Sequence, residues 1–199
     1  MKRSLNIGLC GMAGIFIIGL YSCEDVKKQP EFLPERKMEM RYNPENEPYY
    51  NIRTRQYEGA WFTIKYPSDF TVRHSMRSIS SAEGFDSAFF ISPDGLVEFY
   101  VFSPQSDGRP SDIEIRPQSE FLIDSDIREF KDKTEILYTI AAKDGSYKRS
   151  YREVKQYGGS VNWVLGIKYT SQRAYQKYQQ AYVRFKKSLN QFADEDFGC

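Results

Sequence analysis

From residue 57 onward the chain alternates apolar and polar positions with a period of two, the signature of strands that bury one face. In Ala60-Trp61-Phe62-Thr63-Ile64-Lys65-Tyr66 the residues Phe62, Ile64 and Tyr66 fall on one side, and Pro67-Ser68-Asp69 turns the chain into Phe70-Thr71-Val72. Segments 86–91 and 96–102 are aromatic-rich strands joined by Ser92-Pro93-Asp94-Gly95, a hairpin signal. Leu96 to Phe102 is apolar on both faces apart from Glu98, which predicts a central strand. Residues 103–117 carry Pro104, Gly108, Pro110 and Pro117 and predict a loop. A second meander follows, with strands at 136–142, 147–154 and 161–169 separated by Asp144-Gly145 and Gly158-Gly159. Residues 120–130 fit a strand with an irregular middle, although Asp124 to Glu129 could also open a helix. After Ser171, suited to an N-cap, Ala174, Tyr175, Tyr178, Ala181, Tyr182, Phe185, Leu189 and Phe192 recur at helical spacing. They predict an amphipathic helix of about 20 residues, with Lys186 and Lys187 near its negative end. The expected architecture is α+β: a twisted antiparallel sheet of about seven strands packed against a long C-terminal helix.

The amino-terminal pattern is of another kind. Lys2 and Arg3 precede an uncharged apolar run, 7–20, of the length of a signal-peptide core and too short to span a bilayer as a helix. Apolar character ends at Leu20-Tyr21-Ser22-Cys23, followed at once by Glu24, Asp25, Lys27 and Lys28. This resembles the lipobox of bacterial lipoproteins, with Leu at −3, a small residue at −1 and then the cysteine; Tyr21 at −2 is bulkier than that family prefers. The resemblance implies cleavage between Ser22 and Cys23, with lipidation of Cys23. Two or more acyl chains anchor stably where one binds only marginally. A plain secretory signal with a chance cysteine, or an uncleaved short anchor, are the competing readings. Glu24 and Asp25 suit surface export in Bacteroidetes-type lipoproteins and inner-membrane retention in enterobacteria; the outer membrane is favoured. The division expected is 1–22 signal peptide, 23–53 lipidated cysteine and tether, 54–192 folded domain and 193–199 tail. The tether reading rests on Pro30, Pro34, Pro44, Pro48 and dense charge without periodicity, with Tyr49, Tyr50 and Ile52 placed to dock on the domain edge.

Composition narrows the chemistry. Lys+Arg 28 against Asp+Glu 27, less Lys2 and Arg3 with the leader, leaves a near-neutral chain with no electrostatic basis for nucleic-acid binding. Of the three cysteines, Cys10 leaves with the signal and Cys23 is lipidated. Cys199 is then left as an idle thiol or an intermolecular disulfide, with no internal framework possible.

His74 is the single histidine, so multi-histidine zinc sites are excluded, and it reads as a surface residue. Asp124 and Asp126 hint at calcium, but Arg128 stands where the third ligand belongs. Asp94-Gly95, Asp107-Gly108 and Asp144-Gly145 read as turns, Gly158-Gly159-Ser160 lacks a following helix, and nothing brings Glu98 and Glu153 together as a carboxyl pair. No cofactor or metal is expected. Tyr147, Arg149, Tyr151 and Glu153 share one face of a strand, with Lys148, Ser150 and Arg152 on the other. Tyr147, Arg149, Tyr151 and Arg152 form the candidate contact surface for a protein or glycan, ordinary strand packing being the alternative.

The run Trp61-Phe62-Thr63-Ile64-Lys65-Tyr66-Pro67-Ser68-Asp69-Phe70-Thr71-Val72 resembles the opening of PsbP-like domains, a strand ending in Tyr-Pro, a tight turn, an aromatic and a second strand. The Gly- and Trp-containing strand that runs directly into a helix with Phe185-Lys186-Lys187-Ser188-Leu189 is similar too. The same fold occurs in the Ran-binding nuclear import factor. The resemblance implies a PsbP-like sandwich over 57–192 and, since its members mostly bind partner proteins, a non-enzymatic role; no photosystem- or metal-binding residue is carried over. Together these readings predict a lipid-anchored, non-enzymatic binding module of the cell envelope that contacts another envelope protein. A small-ligand or glycan receptor with a cavity between sheet and helix is the alternative.

Overall fold

The computed structural model describes residues 53–105, 108–157 and 162–192. Ten strands form two antiparallel sheets. The larger contains β3 (Thr71–His74), β4 (Ser87–Ile91), β5 (Val97–Phe102), β6 (Glu120–Glu129), β7 (Lys133–Ala142), β8 (Lys148–Gln156) and β9 (Trp163–Tyr169) in the order β3-β4-β5-β9-β8-β7-β6. The smaller contains β1 (Thr54–Glu58), β2 (Phe62–Pro67) and β10 (Asn190–Gln191) in the order β1-β2-β10. Among the described residues one α-helix, α1 (Gln172–Lys187), links β9 to β10, and a short 3-10 turn, Ser111–Ile113, lies between β5 and β6. The expected seven-stranded sheet is present. The expected single sheet is corrected to two, because the first predicted strand, β2, pairs with β1 and β10 rather than with β3.

Turn chemistry explains the hairpins. Between β4 and β5, Gly95 takes φ +68°, a conformation that glycine adopts without steric cost. Asp94 Oδ1 accepts from Ser92 Oγ at 2.7 Å and from the Leu96 N–H at 3.1 Å. Between β7 and β8, Gly145 at φ +74° plays the same part beside Asp144. β6 carries a register irregularity between Leu122 and Asp124, where the sequence pattern is least regular.

The middle strands of the larger sheet are covered on both faces. One face packs under α1 and the smaller sheet, with Phe62, Ile64, Phe90, Phe99, Tyr178 and Phe185 all buried. Phe99 meets the rings of Tyr182 and Phe185 at 5.1 and 5.2 Å. Each such side chain contributes about 1.5–3 kcal/mol of burial. The opposite face gathers Phe89, Tyr100, Phe102, Ile140, Tyr151 and Val164 beneath Ile113 of the segment between β5 and β6. β5 is therefore buried on both sides, with Val97, Phe99 and Val101 on the helix face and Tyr100 and Phe102 on the other.

At mid-strand in β9, Gly166 pairs with Tyr100 on one side and Tyr151 on the other. A Cβ there would lie 2.2 Å from the Tyr151 ring. The two tyrosines meet edge-on at 5.8 Å, so glycine is required by close packing.

Ser171 caps α1, accepting the Ala174 N–H at 3.1 Å. The helix has 16 residues, fewer than the 20 or so expected, and ends at Lys187. Ser188 closes it, its hydroxyl donating to the Phe185 carbonyl at 2.8 Å and accepting the Lys65 N–H at 2.8 Å. Leu189 and Phe192 keep helical spacing, but the open edge of β2 supplies backbone partners that turn 190–191 into a strand. No described helix is long and apolar enough to cross a membrane.

Candidate functional site

The predicted contact residues separate onto two faces of β8. Tyr147, Arg149 and Tyr151 lie under the segment between β5 and β6, and both Arg149 and Tyr151 are buried. Their reading as an exposed strip is corrected: Arg149 forms a buried salt bridge to Glu120, with Nη2 donating to Oε2 at 2.7 Å and Nε to Oε1 at 3.0 Å. The same guanidinium donates to the carbonyls of Ile113 at 2.7 Å and Glu114 at 2.9 Å and to the Tyr151 hydroxyl at 3.1 Å. Tyr147 donates to Glu120 Oε1 at 2.6 Å and the Arg116 N–H to Oε2 at 2.8 Å. Beside it, Asp112 accepts from Tyr100 at 2.7 Å and from Ser87 at 2.8 Å. Burial alone would raise the Glu120 carboxyl, but the hydrogen bonds from Arg149, Tyr147 and Arg116 outweigh it and hold the group at about 2. This cluster pins the segment to the sheet, and its charged groups satisfy one another.

Arg152 points to the helix face, as the two-residue period requires. It lines an open cleft of about 560 Å³ between β8, β9, the end of α1 and β10, with Trp163, Lys186, Lys187, Leu189 and Gln191. The Arg152 guanidinium lies 5.4 Å from the Trp163 ring centre, and it grips Glu135 on β7 through two bonds, 2.7 Å to Oε1 and 3.2 Å to Oε2. Lys133 reaches the same carboxylate at 2.8 Å. These donors hold Glu135 down to about 2.

Lys186 has no carboxylate partner among the described residues; its ammonium sits 4.8 Å from the Tyr182 ring centre. Partial burial first, and then the charge of Arg152, hold its pKa below the ordinary value. Three cations thus border one cleft lined by Trp163, and Glu135, the carboxylate that Arg152 grips, is already shared with Lys133. An anionic group entering it would relieve the repulsion between Arg152 and Lys186. The strand period marks Arg152 as a contact residue, whereas Trp163, Lys186 and Lys187 read only as strand and helix-end residues, because nothing local joins β8 to the end of α1.

Solved structures similar to this chain include cyanobacterial PsbP (CyanoP) from Synechocystis sp. PCC 6803. It is 9% identical, over 71% of this chain and 94% of that one, with a TM-score of 0.42. The Ran-binding protein Mog1p of Saccharomyces cerevisiae is 11% identical over 72% and 97%, with a TM-score of 0.37. A protein from Bacteroides thetaiotaomicron VPI-5482 is 12% identical over 73% of this chain and 50% of that one, with a TM-score of 0.41. No protein-family model and no curated protein matches the sequence. The chain is a sheet-rich α+β protein with PsbP and Mog1 among its structural neighbours, and overlaps this low carry no functional argument.

The remaining sequence candidates are dispersed. His74 is exposed, within 3.0 Å of the Tyr57 hydroxyl and stacked on Phe85. Asp126 pairs with Arg128 on the outer strand, and no group of three or more His, Cys, Asp or Glu among the described residues is placed to hold a metal ion. Glu98 pairs with Arg73 and Glu153 with Lys155. Asp94 ties its turn to α1, accepting from Lys177 and Tyr178 at 2.8 Å each. Ser22, Cys23, Tyr49, Tyr50, Ile52, Asp107, Gly158, Gly159, Ser160 and Cys199 lie outside the described residues.

Proposed function

We propose that the chain is a lipoprotein anchored through Cys23 in the bacterial cell envelope, the outer membrane being favoured, and that its PsbP-like domain is a non-enzymatic binding module. The observation that supports binding is the cleft: Arg152, Lys186 and Lys187 converge around Trp163 with less negative charge than positive. Cations beside a partly exposed aromatic suit an acidic segment of another envelope protein, since charge sets the approach and the ring supplies contact area. The anchor is supported by the Leu20-Tyr21-Ser22-Cys23 run and the polarity switch behind it. In-cell cross-linking followed by purification tests both, comparing the native protein with Cys23→Ala and with Lys186→Glu/Lys187→Glu. A defined partner captured from the native protein and lost from both variants supports the reading. Equal capture from all three removes the anchor and the cleft from it.

A cleft of about 560 Å³ also lies within the usual size range of small-molecule sites, which favours an anionic ligand or glycan as the second reading. A rise in melting temperature with acidic oligosaccharides, abolished by Trp163→Ala, would support that reading; no rise across such a series would exclude it.

A further inference from the structure

The larger sheet has two unequal edges. β3 closes one with four residues, while β6 leaves ten on the other, of which only Glu120 is buried. Natural sheets guard a long edge with charged side chains, proline, a bulge or a cover. In β6 the one irregularity falls between Leu122 and Asp124, from Asp124 to Phe130 there is no proline, and of the charges in that stretch Arg128 is paired with Asp126 of the same strand. Ile127, in the middle of this stretch, is 62% exposed and faces the side opposite α1, beside Ile136 of β7. Leu122 on the same side borders a groove of about 370 Å³ that Ile136, Tyr138, Ile140 and Ile115 also line.

The polar residues of this edge are matched to themselves. When two antiparallel strands meet about a two-fold axis, residues equally far from the axis face one another on the same side of the sheet. With the axis at Ile127, Ile127 meets the partner's Ile127, and Asp126 meets the partner's Arg128 on the other face, twice over. Within one chain Arg128 Nε already donates to Asp126 Oδ2 at 2.7 Å, both side chains being half exposed. Pairing would place four charges in alternation around the axis and cover the most exposed apolar residue of the strand. An axis at Asp126 would instead bring like charges together.

We propose that β6 pairs with β6 of a second copy of this chain, antiparallel and centred on Ile127, joining the two larger sheets into one continuous sheet. The proposal is independent of the cleft, which lies toward α1 on the other face of the sheet.

The test uses the full chain in density-matched detergent, with its mass followed by sedimentation over a wide concentration range. The wild type should dimerise, Asp126→Arg should weaken the dimer by about tenfold or more through like-charge contact, and Asp126→Arg/Arg128→Asp should restore it. These positions are exposed, and a melting curve of each variant confirms folding. A second arm replaces single residues with cysteine in a Cys10→Ser/Cys199→Ser background, with the parent chain that keeps Cys23 setting the baseline of linkage. Oxidation should link copies through Ile127→Cys and not through Phe121→Cys, six residues from the axis. A wild type monomeric at every concentration, a dimer indifferent to the single swap, a double swap that fails to restore it, or equal linkage at both cysteines would each overturn the proposal.

Discussion

The Arg149–Glu120 pair offers the sharpest check on the energetics. Holding Glu120 at about 2 instead of the ordinary 4.5 is worth about 3 kcal/mol at neutral pH. Because the folded-state value is depressed, that stability is fully present above about 4.5 and is lost as pH falls toward 2. Arg149→Met removes both donors to the carboxylate and the anchors of the Ile113 and Glu114 carbonyls. It leaves a buried charge with only Tyr147 and one backbone N–H, so we expect a loss of about 3–5 kcal/mol, near or above 10 °C in melting temperature. Without the guanidinium, burial should raise the Glu120 pKa above 4.5, and the penalty then disappears on acidification. The assay is urea unfolding of wild type and variant at neutral pH and near pH 3. The gap between the two should narrow strongly at the lower pH, while the titration of Glu135 and Asp94, common to both, cancels. Arg149→Met/Glu120→Gln should recover part of the loss, since the stranded charge is gone. A neutral-pH gap below about 1 kcal/mol, or one that does not shrink on acidification, would refute the account of a buried, charge-satisfied pin.

Other outcomes follow from single contacts. Gly166→Ala drives a methyl into the Tyr151 ring and should cost about 1–3 kcal/mol with an altered near-ultraviolet tyrosine signal, measured by urea unfolding and circular dichroism. Ser171→Ala loses the N-cap of α1 and should cost about 1 kcal/mol in chemical denaturation. Burial raises the Asp94 carboxyl, but four hydrogen bonds overcome this and hold it well below its ordinary 3.8. Asp94→Asn should therefore cost about 1–2 kcal/mol above that pH, and the difference should fade as the medium is acidified below it. Lys186→Met should leave stability within about 0.5 kcal/mol of wild type, since it relieves repulsion with Arg152 and keeps the side-chain stem; a large loss by thermal melting would mean the ammonium is structural.

Local signals in the chain carried a definite part of this fold. Asp94-Gly95 and Asp144-Gly145 mark hairpins because a positive φ is a property of one residue, and no distant contact is needed to require it. Ser171 and the spacing from Ala174 to Phe185 specify a capped helix, since cap and apolar stripe both repeat within a turn. The apolar run of β5, broken only by Glu98, marks an interior strand of its sheet, and its apolar residues are buried on both faces. The proposed lipid anchor at Cys23 rests on the sequence alone, through the Leu20-Tyr21-Ser22-Cys23 run and the polarity switch after it.

Tertiary structure decided the rest. The period of two put Arg149 and Arg152 on opposite faces of β8, but could not tell that a segment some 30 residues upstream would close over Arg149. Burial there depends on Glu120, whose carboxylate offsets the desolvation of the covered guanidinium, and such a partner is found in space rather than by spacing. Leu189 and Phe192 continue the helical rhythm, yet Asn190 and Gln191 pair with β2, because an open strand edge more than 120 residues away competes for their backbone groups. The cleft has the same origin: Arg152, Trp163 and Lys186 belong to three elements and meet only when α1 folds back over β8 and β9. Periodicity reports which way a side chain points; what it meets there is set by non-local hydrogen bonding and packing, which single-chain spacing does not encode.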